Sequence, residues 1–257
     1  MNRSAEAAPT TVRIVLQART DSTRLPSKAL RTIAGMPSAV LAAMRASNRG
    51  HDLVLATTDR SLDDVLVERM TAAGIRVFRG ATHDVRARFL AATSDLDDRA
   101  VVVRLTADNV VPDGSYVAAV VAALIDHGLD YLEPSSEVDG VPHGLAAEAF
   151  RLGELRRVVG ACDDPYEREH VTPALSRTVP RDPAQLVPGI TGVFSAGHER
   201  CTLDTEEDLD RLLKLFDTVT DPVGISWREL VRRIQVAAAP VRQSPNQNVT
   251  GDATHRR

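Results

Sequence analysis

Residues 18–28, Ala-Arg-Thr-Asp-Ser-Thr-Arg-Leu-Pro-Ser-Lys, bring Arg19, Arg24 and Lys28 together with the hydroxyls of Thr20, Ser22, Thr23 and Ser27. A triphosphate carries roughly four negative charges, and holding it takes several cations and donors at one place. Arginine supplies a planar fork and lysine a compact charge. The stretch is not a Walker loop, because the glycines and the Gly-Lys-Ser/Thr ending are absent. On composition alone, a solvated basic loop is the competing reading.

Two carboxylates stand elsewhere. Asp108 lies in Thr106-Ala107-Asp108-Asn109 and Asp204 in Cys201-Thr202-Leu203-Asp204-Thr205. Carboxylate oxygens suit a hard cation such as Mg²⁺. Two acids from distant segments meeting at one sheet edge would make a metal site. Each alone also reads as a turn or cap residue. Ala56-Thr57-Thr58-Asp59 and Arg79-Gly80-Ala81-Thr82 offer small residues and backbone amides for a flat slot, or plain turns. Tyr166–Pro173 mixes both charge signs with His170, and His143 stands in Val-Pro-His-Gly. Both also read as surface segments.

These groups need elements to position them. Short β-branched runs at Val12–Gln17, Asp52–Thr57, Ile75–Phe78 and Ala100–Leu105 alternate with helical spacing at Pro37–Asn48, Asp63–Ala73, Asp84–Thr93 and Ser115–His127. Apolar strands with helices between them predict an α/β fold, a three-layer, mostly parallel twisted sheet with helices on both faces. In such sheets ligands bind beyond the carboxyl ends of the strands, where the loop 18–28 and Asp108 fall. The connection after the first strand exceeds the usual length of roughly two to six residues, as functional loops do. Residues 133–149 are rich in turn formers and predict a loop with a short hairpin. Helices resume at Gly153–Gly160, Tyr166–Arg177, Thr205–Asp217 (capped by Thr205) and Ser226–Val236. The expected organisation is a tail at 1–10, a domain at 11–237 with a substrate region at about 133–195, and a polar tail at 238–257.

Composition narrows the class. At 257 residues, 43% hydrophobic, the chain can fill one large core or two small ones. A net charge of -4 gives no global basic field, so a nucleic-acid partner is not expected. Cys162 and Cys201 are too few for a zinc site and read as reduced thiols. No apolar run approaches bilayer length, and residues 1–10 lack a secretion signal. A cytoplasmic protein without membrane partners is the expectation.

Taken in order, Gln17–Leu30 (QARTDSTRLPSKAL), ATTD, VFRG, RLTAD, EREHVTP and TLDTEEDL resemble the cytidylyltransferase family. That family includes CMP-KDO synthetases, CMP-sialic acid synthetases and the spore-coat polysaccharide protein F group, to which these motifs are most similar. The resemblance spans Val12 to Leu213 and implies a Rossmann-like nucleotidyltransferase fold with a small hairpin and helical substrate region. It implies Mg²⁺-dependent transfer of CMP from CTP to a small anionic acceptor, either an acidic sugar or a phosphate or phosphonate compound, with release of pyrophosphate. Arg19, Arg24, Lys28 and Asp108 would be catalytic. Leu16, Ala18, Arg19, Ser22, Arg24, Lys28, Thr106 and Ala107 would contact the nucleotide. Thr58, Arg79, Gly80 and Ala81 would lie by the base and ribose. Asp108 and Asp204 would hold Mg²⁺, and Asn109, His143, Glu148, Arg168 and His170 would face the acceptor. A homodimer is implied only by resemblance.

The chain departs from the family pattern at several points. Glycine is usual where Ser27 and Ala107 stand, proline where Val110 stands, and aspartates at His143 and Ala146, whereas Glu148 is kept. Two other classes compete. A nucleotide-sugar glycosyltransferase would usually carry Asp-x-Asp, which Asp108-Asn109-Val110 is not. A non-catalytic nucleotide-binding homologue would have no need of Arg24, Lys28, Asp108 and Asp204 together.

Overall fold

The computed structural model describes residues 10–134, 136, 140–145, 147–159, 164–178, 187 and 199–238. Nearly all of both expected tails, and much of the region 133–195, lie outside the described residues.

β-Branched runs form strands where the alternation predicts them. The first four long strands are β1 (Val12–Gln17), β4 (Asp52–Thr58), β5 (Arg76–Gly80) and β6 (Val101–Thr106). They pair in parallel in the order β5-β4-β1-β6. The sheet then continues through β8 (Glu148–Arg151), antiparallel to β6, to an edge strand β7 (Tyr131–Leu132). Among the described residues, the turn-rich segment therefore holds no internal hairpin. The pairing strands flank it, β7 just before the segment and β8 starting at its end.

Strand pleating sorts the core into two layers. Ile14 and Leu16, Leu53 and Leu55, and Val101, Val103 and Leu105 face one side. There they meet α1 (Ser38–Ala46), α2 (Asp64–Ala72), α4 (Gly114–Asp126), α8 (Glu206–Phe216) and α9 (Trp227–Ala238). Val15, Val54, Ala56 and Val102 face the other side, against α3 (Val85–Ala92), α5 (Leu152–Val159) and α7 (Pro173–Thr178). The result is the expected three-layer sandwich. None of the described helices is long and apolar enough to cross a membrane.

Two departures from the expected elements have local causes. A small antiparallel pair, β2 (Thr32–Ile33) with β3 (Met36–Pro37), turns through Ala34 at φ 49° and Gly35 at φ 80°. A tight hairpin needs positive φ at both positions. The helix expected over 166–177 is two, α6 (Pro165–His170) and α7, broken at Val171 with φ 70°. Proline at 173 disfavours helical backbone at Thr172 and suits the first turn of a new helix. The Val171 conformation is costly for a β-branched residue, and full burial of its side chain in the second core layer holds it.

Arg45 joins distant parts beneath α1. It is fully buried, donates to the carbonyls of Pro222 (2.7 Å), Ile225 (2.9 Å) and Val111 (2.8 Å), and lies over the Phe216 ring. Replacing Arg45 with methionine fills similar volume but strands those carbonyls. A loss of about 3 kcal/mol is expected in urea unfolding. A loss below about 1 kcal/mol would show that the carbonyls find other donors.

Candidate active site

The loop after β1 is fastened at several points. Asp63, which is buried, accepts from the Thr20 amide (2.7 Å) and hydroxyl (2.6 Å) on one oxygen and from the Thr58 hydroxyl on the other. This ties the loop to the end of β4. Further along, Leu25 is wholly buried, and the Ser38 hydroxyl donates to the Lys28 carbonyl (2.7 Å). Ser27 takes φ 54°, a left-handed conformation that glycine would adopt more cheaply, and so turns the chain to aim Lys28.

The two acids are brought together by backbone. The Leu203 amide donates to the Asp108 carbonyl (2.9 Å), and a bridge joins Asn109 to Thr202. The neighbouring strand-like segment is held by His143 and Glu199, whose amide and carbonyl bond at 2.8 Å. Gly144, at φ +104°, lets this crossing close, because a Cβ there would sit 2.6 Å from the Thr202 nitrogen. Asp208 then caps the start of α8 in a reciprocal box with Thr205 and also accepts from the Asp204 amide (3.1 Å).

Cations and acids meet at Lys28. Its Nζ lies 2.6 Å from Asp108 Oδ2 and 2.9 Å from Asp204 Oδ1. Arg24 Nη2 is 3.0 Å from the same Asp204 oxygen, and Arg200 Nη2 is 3.2 Å from the other. Burial alone would depress the Lys28 ammonium, but the attraction and hydrogen bond of Asp108, then those of Asp204, outweigh it and raise its pKa. At Asp204 burial likewise opposes ionisation, and the Lys28 hydrogen bond and charge, with Arg24 and Arg200, hold the carboxyl below its ordinary value.

Around this cluster opens a cleft of about 630 Å³ lined by Arg19, Arg24, Lys28 and Asp108, with Ala18, Ser22, Thr106 and Ala107 among the remaining walls. Leu16 is fully buried below, next in sequence to Gln17, which lines the cleft. Beyond α3, Pro165, Glu169 and His170 close one side. Among the described residues, no group of three His, Cys, Asp or Glu side chains forms a metal cluster. Two carboxylates bracketing one cation is nonetheless a donor set that suits Mg²⁺, which takes one or two carboxylates and completes its shell with phosphate oxygens and water.

Other expected contacts sit behind the walls rather than along them. Thr58 is buried with its hydroxyl on Asp63. Arg79 donates to the Thr58 (3.0 Å) and Arg60 (2.8 Å) carbonyls and pairs with Asp64 (2.7 Å). The cleft wall beyond Gly80 and Ala81 is formed by Thr82 and His83. Glu148 is buried, paired with Arg104 and accepting from Thr172 and Tyr131 (3.3 Å). Asn109 donates to the Thr106 hydroxyl (2.9 Å). Neither Arg168 nor His143 lines the cleft.

Sequence reasoning missed several participants. Asp63 read as a helix start, and its role depends on a contact across 43 residues to Thr20. Gln17 lines the cleft with its side-chain oxygen held by Arg104 Nε at 3.1 Å. Arg88, His83 and Glu169 also line it. Only Glu169, inside the mixed-charge run, carried any local signal.

A mostly parallel sheet with a cationic loop at the end of its first strand and paired acids near it is an arrangement suited to a nucleotide-handling enzyme. The sequence profile of the cytidylyltransferases matches residues 13–215. The chain belongs to the cytidylyltransferase family. It is similar to the spore coat polysaccharide biosynthesis protein SpsF of Bacillus subtilis (strain 168), 29% identical over 231 residues, covering 84% of this chain and 91% of that one. A solved cytidylyltransferase from Leptospira borgpetersenii serovar Hardjo-bovis (strain JB197) superposes with a TM-score of 0.77 at 25% identity, over 89% of this chain and 95% of that one. A CMP:2-keto-3-deoxy-manno-octonic acid synthetase solved with CTP shares the fold, with a TM-score of 0.58 at 16% identity over 81% of this chain and 99% of that one.

The Asp63 latch predicts a pH signature. Burial raises the Asp63 pKa, but hydrogen bonds from Thr20 and Thr58 outweigh it and leave the value lowered. The ionised carboxylate therefore contributes stability above the ordinary aspartate range, and this is lost as pH falls through the lower folded value. Asp63→Asn should be less stable than the parent by about 1–2 kcal/mol at pH 7. In urea unfolding that gap should shrink below about pH 4. A gap constant down to pH 3 would remove the carboxylate's charge from the account.

Proposed function

We propose that this protein transfers CMP from CTP to a small anionic acceptor, an acidic sugar or a phosphate or phosphonate compound, and releases pyrophosphate. One observation carries the reading: Lys28 lies between Asp108 and Asp204, beside Arg24 and in the same cleft as Arg19. Family membership supports the cytidine nucleotide, and the cationic loop supports a polyphosphate ligand.

In this reading an acceptor oxygen attacks the α-phosphorus in line. The new oxygen–phosphorus bond forms as the bond to the bridging β-phosphate oxygen breaks, and pyrophosphate departs with that electron pair. Arg19, Arg24 and Lys28 neutralise the phosphates and stabilise the departing charge. Asp108 and Asp204 would hold Mg²⁺, which when bound supplies charge at the α-phosphate and acidifies the attacking hydroxyl. The hydroxyl proton then passes to solvent without a dedicated protein base. In this reading His170, which lines the same cleft as the cationic loop, binds the acceptor's anionic group.

The test follows pyrophosphate with each of four nucleoside triphosphates against sugar acids, sugar phosphates and phosphonates, in Mg²⁺. CTP should give release with one acceptor class, and chelator should stop it. Asp108→Ala should fall by about a thousandfold or more with its thermal midpoint retained. Retained turnover in Asp108→Ala would remove that residue from the chemistry. A preference for another nucleotide would replace CTP.

A further inference from the structure

Arg88 lines the cleft from α3 while only 3% exposed. Its Nη1 donates to the carbonyls of Ala81 (2.5 Å) and Thr82 (3.2 Å). Its Nε has no partner, and among the described residues neither has its Nη2. No carboxylate among the described residues forms an ion pair with it. Asp63, Asp84 and Asp59 reach it only through space, and the first two are engaged elsewhere, by Thr20 and Thr58 and by the Ala87 amide.

Its charge is thus buried without an ion pair among the described residues, on a cleft that Arg19 also lines. Burial first, and the positive charge of Arg19 second, depress the Arg88 pKa. A guanidinium does not give up its proton in a protein, so the cost remains with the folded chain. Supporting two carbonyls would require only a neutral donor. The close placement depends on Gly80, where a Cβ would lie 3.2 Å from Arg88 Cγ and 3.1 Å from the Phe78 ring. A buried cation with no ion pair among the described residues and with free donors at a cleft wall is the arrangement an anion completes.

We propose that Arg88 and Arg19 together clamp a phosphate group of the nucleotide's pyrophosphate moiety, a subsite additional to the Lys28–Arg24 cluster. It rests on the reading of this cleft as a nucleotide site. Arg88 supplies the fixed half, anchored through Nη1. Arg19, on the exposed loop, supplies the half that moves onto the ligand.

Calorimetric titration of the whole chain with inorganic pyrophosphate, CMP and CTP tests it. Arg88→Gln keeps one donor for the Ala81 and Thr82 carbonyls but removes the charge. It should weaken pyrophosphate and CTP about tenfold or more and leave CMP unchanged. Arg19→Gln, at an exposed position, should give the same selective loss and also raise the thermal midpoint of the ligand-free protein by removing the like charge beside Arg88. Equal losses for all three ligands, or none in either variant, would overturn the clamp. If the parent protein bound neither CTP nor pyrophosphate, the nucleotide reading itself would fall. Binding by the parent and undiminished binding by both variants would sink the clamp alone.

Discussion

One ammonium group between two carboxylates organises the functional end of this molecule. Lys28 comes from the loop after the first strand, Asp108 from the end of β6 and Asp204 from a segment nearly 100 residues later. Neither acid could stand so close to the other in a half-buried position without a cation between them, because like charges there repel strongly. The lysine removes that repulsion, and Arg24 and Arg200 balance what remains. The backbone does the coarse placement, with the Asp108 carbonyl held directly by the Leu203 amide. Fold and electrostatics therefore specify the same point in space.

The sheet was legible because its signal is local. Of the four apolar runs, those forming β1, β4 and β6 are buried on both faces, while β5, at the sheet edge, is only half-buried. The cationic loop and both acids were legible for a similar reason, since their chemistry shows in residue type and in position after a strand. What escaped were roles created by distant neighbours. Thr58 and Glu148 stand where nucleotide or acceptor contacts were expected, yet their polar atoms are committed to Asp63 and to Arg104, Thr172 and Tyr131. The Glu148 partners lie 17, 24 and 44 residues away along the chain, and the Thr58 bond to Asp63, though local, depends on how the turn after β4 closes. Arg88 was hidden in the same way, since one arginine in a helix looks like any exposed cation until its burial is known.

Arginine does much of the structural work here, in two different manners. Arg13 is buried and matched by Asp52 (2.8 Å) and Asp95 (2.5 Å), and Arg45 is matched by carbonyls. Arg13 is paired within the chain, and Arg45, although its Nε has no partner, gives its two terminal nitrogens to carbonyls; both belong to the chain's stability. Arg88 retains unsatisfied donors and faces the cleft. What sets Arg88 apart is its place on the cleft wall, since an unpartnered Nε is something Arg45 shares.

The broken helix at Val171 divides its surroundings into a foundation and a façade. Inward, Glu167 grips Arg177 and the Ala174 amide (2.7 Å), Val171 fills the second core layer and Thr172 bonds Glu148. Outward, Tyr166, Glu169 and His170 are exposed, and the last two border the cleft. Substitutions in the outward set leave every inward anchor in place. Evolution can therefore redecorate this stretch of the cleft rim while the kinked backbone beneath stays where it is.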